Sequence, residues 1–399
     1  MKNKSPHPET RRAFLEKAGA ASLAAAASTP IFATAADEAT IIETKIISQQ
    51  PEYYCGWPTL ARRANGELWV TWSGGRVGHI CPFGQVHSMT SRDDGKTWTW
   101  PRVLLDGAID DRDSGVLETE KGTLIATTFT SLAYEPYLKD GKMFGALAKK
   151  GWTTEEMQSE MHARWQACHA RLTDEERKAE LGVWSIRSED GGRTWSERIP
   201  TIVNSPHGPI QLADGRLLYA GKQLWTKEKK VGVCESLDDG KTWQWLSEIP
   251  AREGDDFVKG YHELHAVEAE DGTIIVQIRN HNKADAGGTL QTESADGGKT
   301  WTIPHPITFG LPSHLLRLRD DRLLMTYGHR RAPFGNQARL STDNGKTWGE
   351  AMIISGDGVG SDLGYPSTVE LGDGSLLTVW YEKMKDQKLA VLRQAHWTI

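Results

Sequence analysis

One eight-residue motif recurs five times in this 399-residue chain. It reads SRDDGKTW from Ser91, SEDGGRTW from Ser188, SLDDGKTW from Ser236, SADGGKTW from Ser294 and STDNGKTW from Ser341. Asp at the third position can accept backbone N–H groups across a turn. Gly at the fifth tolerates positive φ, and Trp at the eighth supplies a large apolar plug. Successive copies start 97, 48, 58 and 47 residues apart, so the period is near 48 and the first interval carries an insertion of about 50 residues. A period of this length belongs to stacked supersecondary units or propeller blades. Forty glycines agree with a turn-rich β-structure.

A second repeat sets the register. Six segments each contain a short strand, a tight turn and a strongly apolar strand. They begin at Gly56, Arg112, His207, Glu263, Ser313 and Tyr365. Their second strands are apolar almost throughout, as strands covered on both faces should be. Six hairpins imply six blades, so the expected fold is an all-β, six-bladed β-propeller over residues 36–399. The sixth unit lacks the motif. Its third strand is expected at KLAVLRQ from Lys388, and its outer strand at the N-terminal TIIETKIIS, which would close the ring and remove sheet edges.

The extra residues, 131–182, read as a helical insertion in blade 2. Thr153 and Glu156 have capping-box spacing, Met157, Met161, Trp165 and Cys168 follow at helical spacing, and Thr173 to Glu176 repeats the cap. Core packing is the expected role of the Met/Trp stripe, with a lid over the site as the alternative. Residues 1–35 carry Arg11-Arg12 before Phe-Leu, an Ala-rich stretch and a small-residue site at Ala33-Thr34-Ala35. That pattern is similar to a twin-arginine export signal and implies a periplasmic or secreted protein. No other apolar run is long enough to cross a membrane. The net charge of −6 gives no reason to propose nucleic acid. The four cysteines match no zinc spacing, and no metal or cofactor is expected. Cys55 and Cys81 flank the first strand pair, so either a disulfide between them or buried free thiols is open.

In a propeller the first strand of each blade lines the axis. Their starts, with the ends of the second strands, surround one axial pocket, and the Ser-x-Asp turns lie at the other end. Matched positions yield Gly56/Trp57, Arg112/Asp113, His207, His262/Glu263, His314 and Tyr365, then Arg76/His79, Lys222, Arg279, His329/Arg330 and Tyr381/Glu382. A ring of Arg, His and carboxylates implies an anionic ligand, most simply a carboxylate-bearing sugar.

The repeated turn resembles the Asp-box of the sialidase superfamily, whose members are six-bladed propellers. GYPSTVELGDG resembles the family's tyrosine segment and points to Tyr365 as nucleophile. HELHAVEAEDGTIIVQIR resembles the segment that carries the assisting Glu and a clamp Arg, pointing to Glu263 and Arg279. HRRAPFGNQARLS precedes the fifth turn where the family places another clamp, and strand phase selects Arg330 over Arg331. The resemblance implies an exo-glycosidase acting on a terminal acidic sugar of a glycan. Two departures stand out. Gly56 occupies the place of the first clamp Arg, and the loop GGRVGHICPFG has Arg76 and His79 where the family has its acid/base Asp. Arg76 is therefore expected to replace the guanidinium, and Asp113 or His79 to serve as acid, with Arg112 and His207 as further substrate contacts. The alternatives are a propeller lyase or hydrolase acting on uronic-acid polysaccharide, and a noncatalytic glycan-binding propeller.

Overall fold

The computed structural model describes residues 38–140, 154–385 and 387–399. The expected export signal lies outside them. Six four-stranded antiparallel sheets make up the fold. Blade 1 contains β2 (Tyr54–Arg62), β3 (Leu68–Arg76), β4 (Gln85–Ser91) and β5 (Arg102–Leu105). Blade 2 contains β6 (Asp110–Glu118), β7 (Leu124–Ser131), β8 (Val183–Ser188) and β9 (Ile199–Pro200). Blades 3, 4 and 5 start with β10 (Ile210–Gln211), β14 (Tyr261–Glu268) and β18 (Ser313–Arg317) and continue in the same order. Blade 6 runs β22 (Leu363–Glu370), β23 (Leu376–Glu382), β24 (Val391–Thr398) and then β1 (Thr40–Ile46). The N-terminal strand thus closes the ring, pairing from Thr40 opposite Thr398 to Ile46 opposite Arg393. First strands touch their neighbours around the axis, β2 meeting both β6 and β22. Second strands such as β3 and β23 are buried along nearly their whole length, which explains their unbroken apolar character.

The five repeated turns share one set of bonds. In the first, Asp93 Oδ1 accepts the Thr97 N–H at 2.9 Å, Asp93 Oδ2 accepts the Thr97 hydroxyl at 2.7 Å, and Ser91 Oγ accepts the Gly95 N–H at 2.9 Å. Asp190, Asp238, Asp296 and Asp343 repeat the contacts to Thr194, Thr242, Thr300 and Thr347. The tryptophans act between blades. Trp98 donates to Gln394 of blade 6, Trp301 to Ser247 of blade 3 and Trp348 to Gln291 of blade 4, while Trp195 meets Trp69 edge-on. Gly345 has φ 78°, and a Cβ there would lie 2.3 Å from Ile275 Cδ1 of the preceding blade. The turn therefore needs glycine for conformation and for close approach.

The described part of the insertion between β7 and β8 is helical, as expected: α1 (Glu135–Asp140), α2 (Glu155–His169) and α3 (Asp174–Ala179). Thr154, not Thr153, caps α2, its side chain accepting the Met157 N–H at 3.2 Å; Thr153 lies outside the described residues. Thr173 and Glu176 form the expected reciprocal box on α3. Trp165, Tyr134 and Cys81 form a small core with Met161, Ile80 and Phe83, so Trp165 and Met161 of the stripe pack on the blade-1 loop, whereas Met157 is exposed. Cys55 and Cys81 are free, as are Cys168 and Cys234. Cys81 Sγ accepts the Val77 and Phe83 amides instead of bonding to Cys55.

Candidate functional site

Four first strands break register close to their start. The breaks fall between Gly56 and Thr59, Arg112 and Gly115, His262 and Leu264, and Gly364 and Ser367. Within each, one residue has a left-handed backbone: Trp57 (φ 55°), Asp113 (φ 50°), Glu263 (φ 41°) and Tyr365 (φ 53°). A non-glycine residue in this region costs on the order of 1–3 kcal/mol and persists only where its surroundings fix it. A bulge also re-aims a side chain. Here the four bulges bring three of the sequence-derived candidates to one end of the axis.

Tyr365 donates its hydroxyl to Glu263 Oε1 at 2.6 Å. Arg279 Nη1 reaches Glu263 Oε2 at 2.5 Å and the Tyr365 oxygen at 2.9 Å. Its Nε donates to His281 Nε2 at 2.7 Å. Burial raises the Tyr365 phenol well above its ordinary value and the neighbouring Glu263 charge adds to this, so the resting group is neutral. Burial alone would raise Glu263, but the Arg279 charge and the two hydrogen bonds outweigh it and hold the carboxylate ionised. A neutral hydroxyl therefore faces an ionised acceptor, the arrangement in which a nucleophile can lose its proton as it attacks.

Asp113 has the opposite ionisation. Burial first, then the Glu263 charge, push it up to about 7 despite Arg112, Arg76 and Arg279. Two carboxyls at one site are thus driven apart, one ionised and one holding its proton near neutrality. Arg330 lies over the Tyr365 ring at 5.6 Å, and its Nε and Nη2 are buried without a hydrogen-bond partner among the described residues. Arg331 instead covers Phe309 at 3.3 Å, consistent with the strand-phase choice. Arg112 stacks on Trp57 at 4.6 Å and also leaves its Nε unpartnered. Buried guanidinium donors without partners are suited to an incoming anion.

Two expected contacts are placed elsewhere. Arg76 is fully buried and spends its donors on protein: Asp110 Oδ1 at 2.5 Å, Asp110 Oδ2 at 3.1 Å, Ser73 Oγ at 3.0 Å and the His79 carbonyl at 3.0 Å. It cannot replace the missing clamp, because releasing it would strand Asp110 in the interior. His207 is 3% exposed and sits deeper in the axis, its ring 5.4 Å from His265 and 5.0 Å from His314. Its Nδ1 lies 3.3 Å from the Thr59 hydroxyl, and burial keeps the ring neutral. The three histidines line the mouth of about 370 Å³ at the far end of the axis, with Arg62 and Arg317.

His79 is brought to the site, with a partner that sequence reasoning missed. Its Nδ1 is 3.3 Å from Asp362 Oδ1 and 3.0 Å from the Tyr54 hydroxyl. Asp362 also accepts from Tyr54 at 3.0 Å and Tyr381 at 3.1 Å. Asp362 precedes β22 in a loop with no strand phase, so only its position three residues before Tyr365 could have flagged it. Among the described residues no group of His, Cys, Asp and Glu is arranged to hold a metal.

Six blades around an axis capped by this tyrosine, carboxylate and arginine cluster define a sialidase-like β-propeller. The chain belongs to the BNR repeat-like domain family, whose model matches residues 33–244 and, overlapping, 158–378. A Dyadobacter fermentans protein of unknown function is similar in structure, with a TM-score of 0.70 at 21% identity over 90% of this chain and 99% of that one. The intramolecular trans-sialidase of Ruminococcus gnavus, solved with oseltamivir carboxylate, has a TM-score of 0.61 at 14% identity over 90% and 97%. The Hadza microbial sialidase Hz136 has a TM-score of 0.58 at 18% identity over 86% and 65%. At these identities the likeness is one of fold. A search of curated proteins finds no match.

Proposed function

We propose that the protein is a glycosidase that removes a terminal carboxylate-bearing sugar from glycans, with Tyr365 as nucleophile and Glu263 as the group that takes its proton. The observation that carries this reading is the 2.6 Å contact between Tyr365 and Glu263, with Arg279 bridging both. When the anomeric carbon itself bears a carboxylate, an anionic nucleophile is repelled and a neutral phenol is not. Arg279, Arg330 and Arg112 supply the positive charge for the substrate carboxylate. Asp113, pushed up to about 7 by burial and the Glu263 charge, adds less repulsion to that anion than an ordinary carboxylate would. The twin Arg11-Arg12 pattern supports export, which would bring the enzyme to extracytoplasmic glycans.

The test is hydrolysis of sialosides and other acidic glycosides by wild type and Tyr365→Phe. The variant should lose turnover while still binding acidic sugar, and a slowly released fluorinated glycosyl donor should leave its sugar on Tyr365 by mass spectrometry. Undiminished turnover by Tyr365→Phe refutes the assignment. Gly56 and His79, standing where sialidases carry Arg and Asp, favour a second reading: proton abstraction from a uronide followed by elimination. That reaction leaves an unsaturated, ultraviolet-absorbing product, which hydrolysis does not.

A further inference from the structure

The blade-1 loop Val77–Phe83 is held from two sides. From beneath, Arg76 donates to the carbonyls of Gly78 at 3.4 Å and His79 at 3.0 Å while bound to Asp110. From outside, Trp165 and Met161 of α2 pack with Ile80, Cys81 and Phe83. The His79 ring stands edge-on to Trp57 at 5.0 Å, and its side chain remains 48% exposed. Trp57 in turn lies 6.4 Å from the Tyr365 ring, and Tyr381 5.7 Å from it, so His79 is one aromatic ring away from the nucleophile.

His79 Nδ1 faces two oxygens, the Tyr54 hydroxyl at 3.0 Å and Asp362 Oδ1 at 3.3 Å. Asp362 Oδ1 accepts the phenolic protons of Tyr54 and Tyr381 and is also the oxygen that His79 Nδ1 approaches. Burial would raise the Asp362 carboxyl, but contacts from His79, Tyr54 and Tyr381 hold it below its ordinary value, so it is a carboxylate. A carboxylate on Nδ1 keeps the proton on that nitrogen and leaves Nε2 for chemistry, as the orienting acid does in a catalytic triad. No described residue takes up Nε2.

Asp113 has the proton that an acid needs, but it is 7% exposed and occupies the same bulge level as Tyr365 and Glu263. In a double displacement the leaving oxygen departs from the face opposite the nucleophile. His79, 48% exposed on the loop after β3, lies outside that bulge level.

We propose that His79 is the catalytic acid/base of this site and Asp362 its positioning residue, a pair that replaces the missing loop carboxylate. The proposal rests on the glycosidase reading above. In the first step Tyr365 Oη bonds to the anomeric carbon, Glu263 takes the phenolic proton, and the glycosidic C–O bond breaks as the His79 imidazolium, carrying a proton on each ring nitrogen, gives its Nε2 proton to the leaving oxygen. In the second, His79 Nε2 takes a proton from water, the water oxygen bonds to the anomeric carbon, and the Tyr365–carbon bond breaks with Glu263 returning the proton. One glycoside and one water become one acidic sugar and one alcohol.

The test compares His79→Ala and Asp362→Asn with wild type on two sialosides, one with an alkyl leaving group and one with a nitrophenyl group that departs without protonation. General acid catalysis contributes roughly 10²–10⁴-fold. His79→Ala should lose that factor on the alkyl glycoside, keep glycosylation of the nitrophenyl glycoside near wild type in a pre-steady-state burst, and regain turnover with added imidazole. The alkaline limb of the wild-type pH profile should vanish in His79→Ala and shift in Asp362→Asn. Asp362, Tyr54, Tyr381, Arg76 and Asp110 are the titratable or charged groups facing this imidazole. Equal loss on both substrates, or no loss on either, overturns the proposal while a dead Tyr365→Phe leaves the glycosidase reading standing. If wild type hydrolyses no acidic glycoside, or Tyr365→Phe is fully active, both fall together.

Discussion

Asp113 permits a quantitative prediction that does not depend on knowing the substrate. Its carboxyl titrates near about 7 in the folded protein against an ordinary 3.8, through burial and then the Glu263 charge. The folded state therefore holds a proton that the unfolded chain releases near the ordinary value. Wherever the native state binds more protons, stability falls as pH rises. The penalty is absent below the unfolded value, grows through the window and levels off above about 7. At about 1.36 kcal/mol per unit, the shift corresponds to about 4 kcal/mol in full. Roughly 1.5 kcal/mol of this is already present at about pH 5, leaving about 2.5 kcal/mol to appear by about pH 8.5. Asp113→Asn cannot ionise. Urea unfolding of wild type and variant across this range should show the variant gaining, relative to wild type, by about 2.5 kcal/mol toward alkaline pH. Asp111, also raised to about 7, contributes the same slope to both proteins and cancels. A difference in stability that stays flat with pH would mean that Asp113 is already ionised, and the assignment of opposite charge states to Asp113 and Glu263 would be wrong.

Arg330 and Arg76 should respond in opposite ways. Arg330→Ala removes donors that no protein group uses, so stability should hold within about 0.5 kcal/mol while affinity for an acidic sugar falls ~10–100-fold. Arg76→Ala leaves Asp110 fully buried without its close partner, with Arg112 no nearer than 3.9 Å, so thermal and urea unfolding should register a loss of about 3–5 kcal/mol. Gly345→Ala should cost about 2–4 kcal/mol by urea unfolding, from its positive φ together with the clash against Ile275.

Much of this architecture was legible because the repeat supplies a ruler. Counting from the Ser-x-Asp turns aligned six hairpins, and the resemblance to sialidase segments, read with strand phase, pointed to Glu263, Arg279 and Arg330. The N-terminal strand followed from the missing outer strand of blade 6. What a ruler along the chain cannot supply is the company a side chain keeps across the axis. Arg76 has the correct register for a clamp, but Asp110, one blade over, claims its guanidinium. His207 reads in the sequence as the start of a first strand, but it lies three residues before β10, and its ring meets the stacked His265 and His314 of the next two blades edge-on in the buried axis.

The two departures from the sialidase pattern turn out to share one physical cause. Gly56 stands where the family would have Arg, and a Cβ at Gly56 would lie 2.9 Å from the Tyr54 ring. Tyr54 therefore occupies the space an arginine side chain would need. Its hydroxyl, in that position, meets both Asp362 and His79. The lost guanidinium and the lost loop carboxylate are thus linked: the tyrosine that excludes the first also orients the imidazole that stands in place of the second. Arg112 stacks on the same Trp57 that faces His79, with its Nε unpartnered among the described residues, whereas Arg76 over that ring is spent on Asp110. On the proposed glycosidase reading, the substrate carboxylate would be held mainly from the Arg279 and Arg330 side, and tolerance for acidic sugars other than sialic acid should follow from how far that carboxylate can shift toward Arg112.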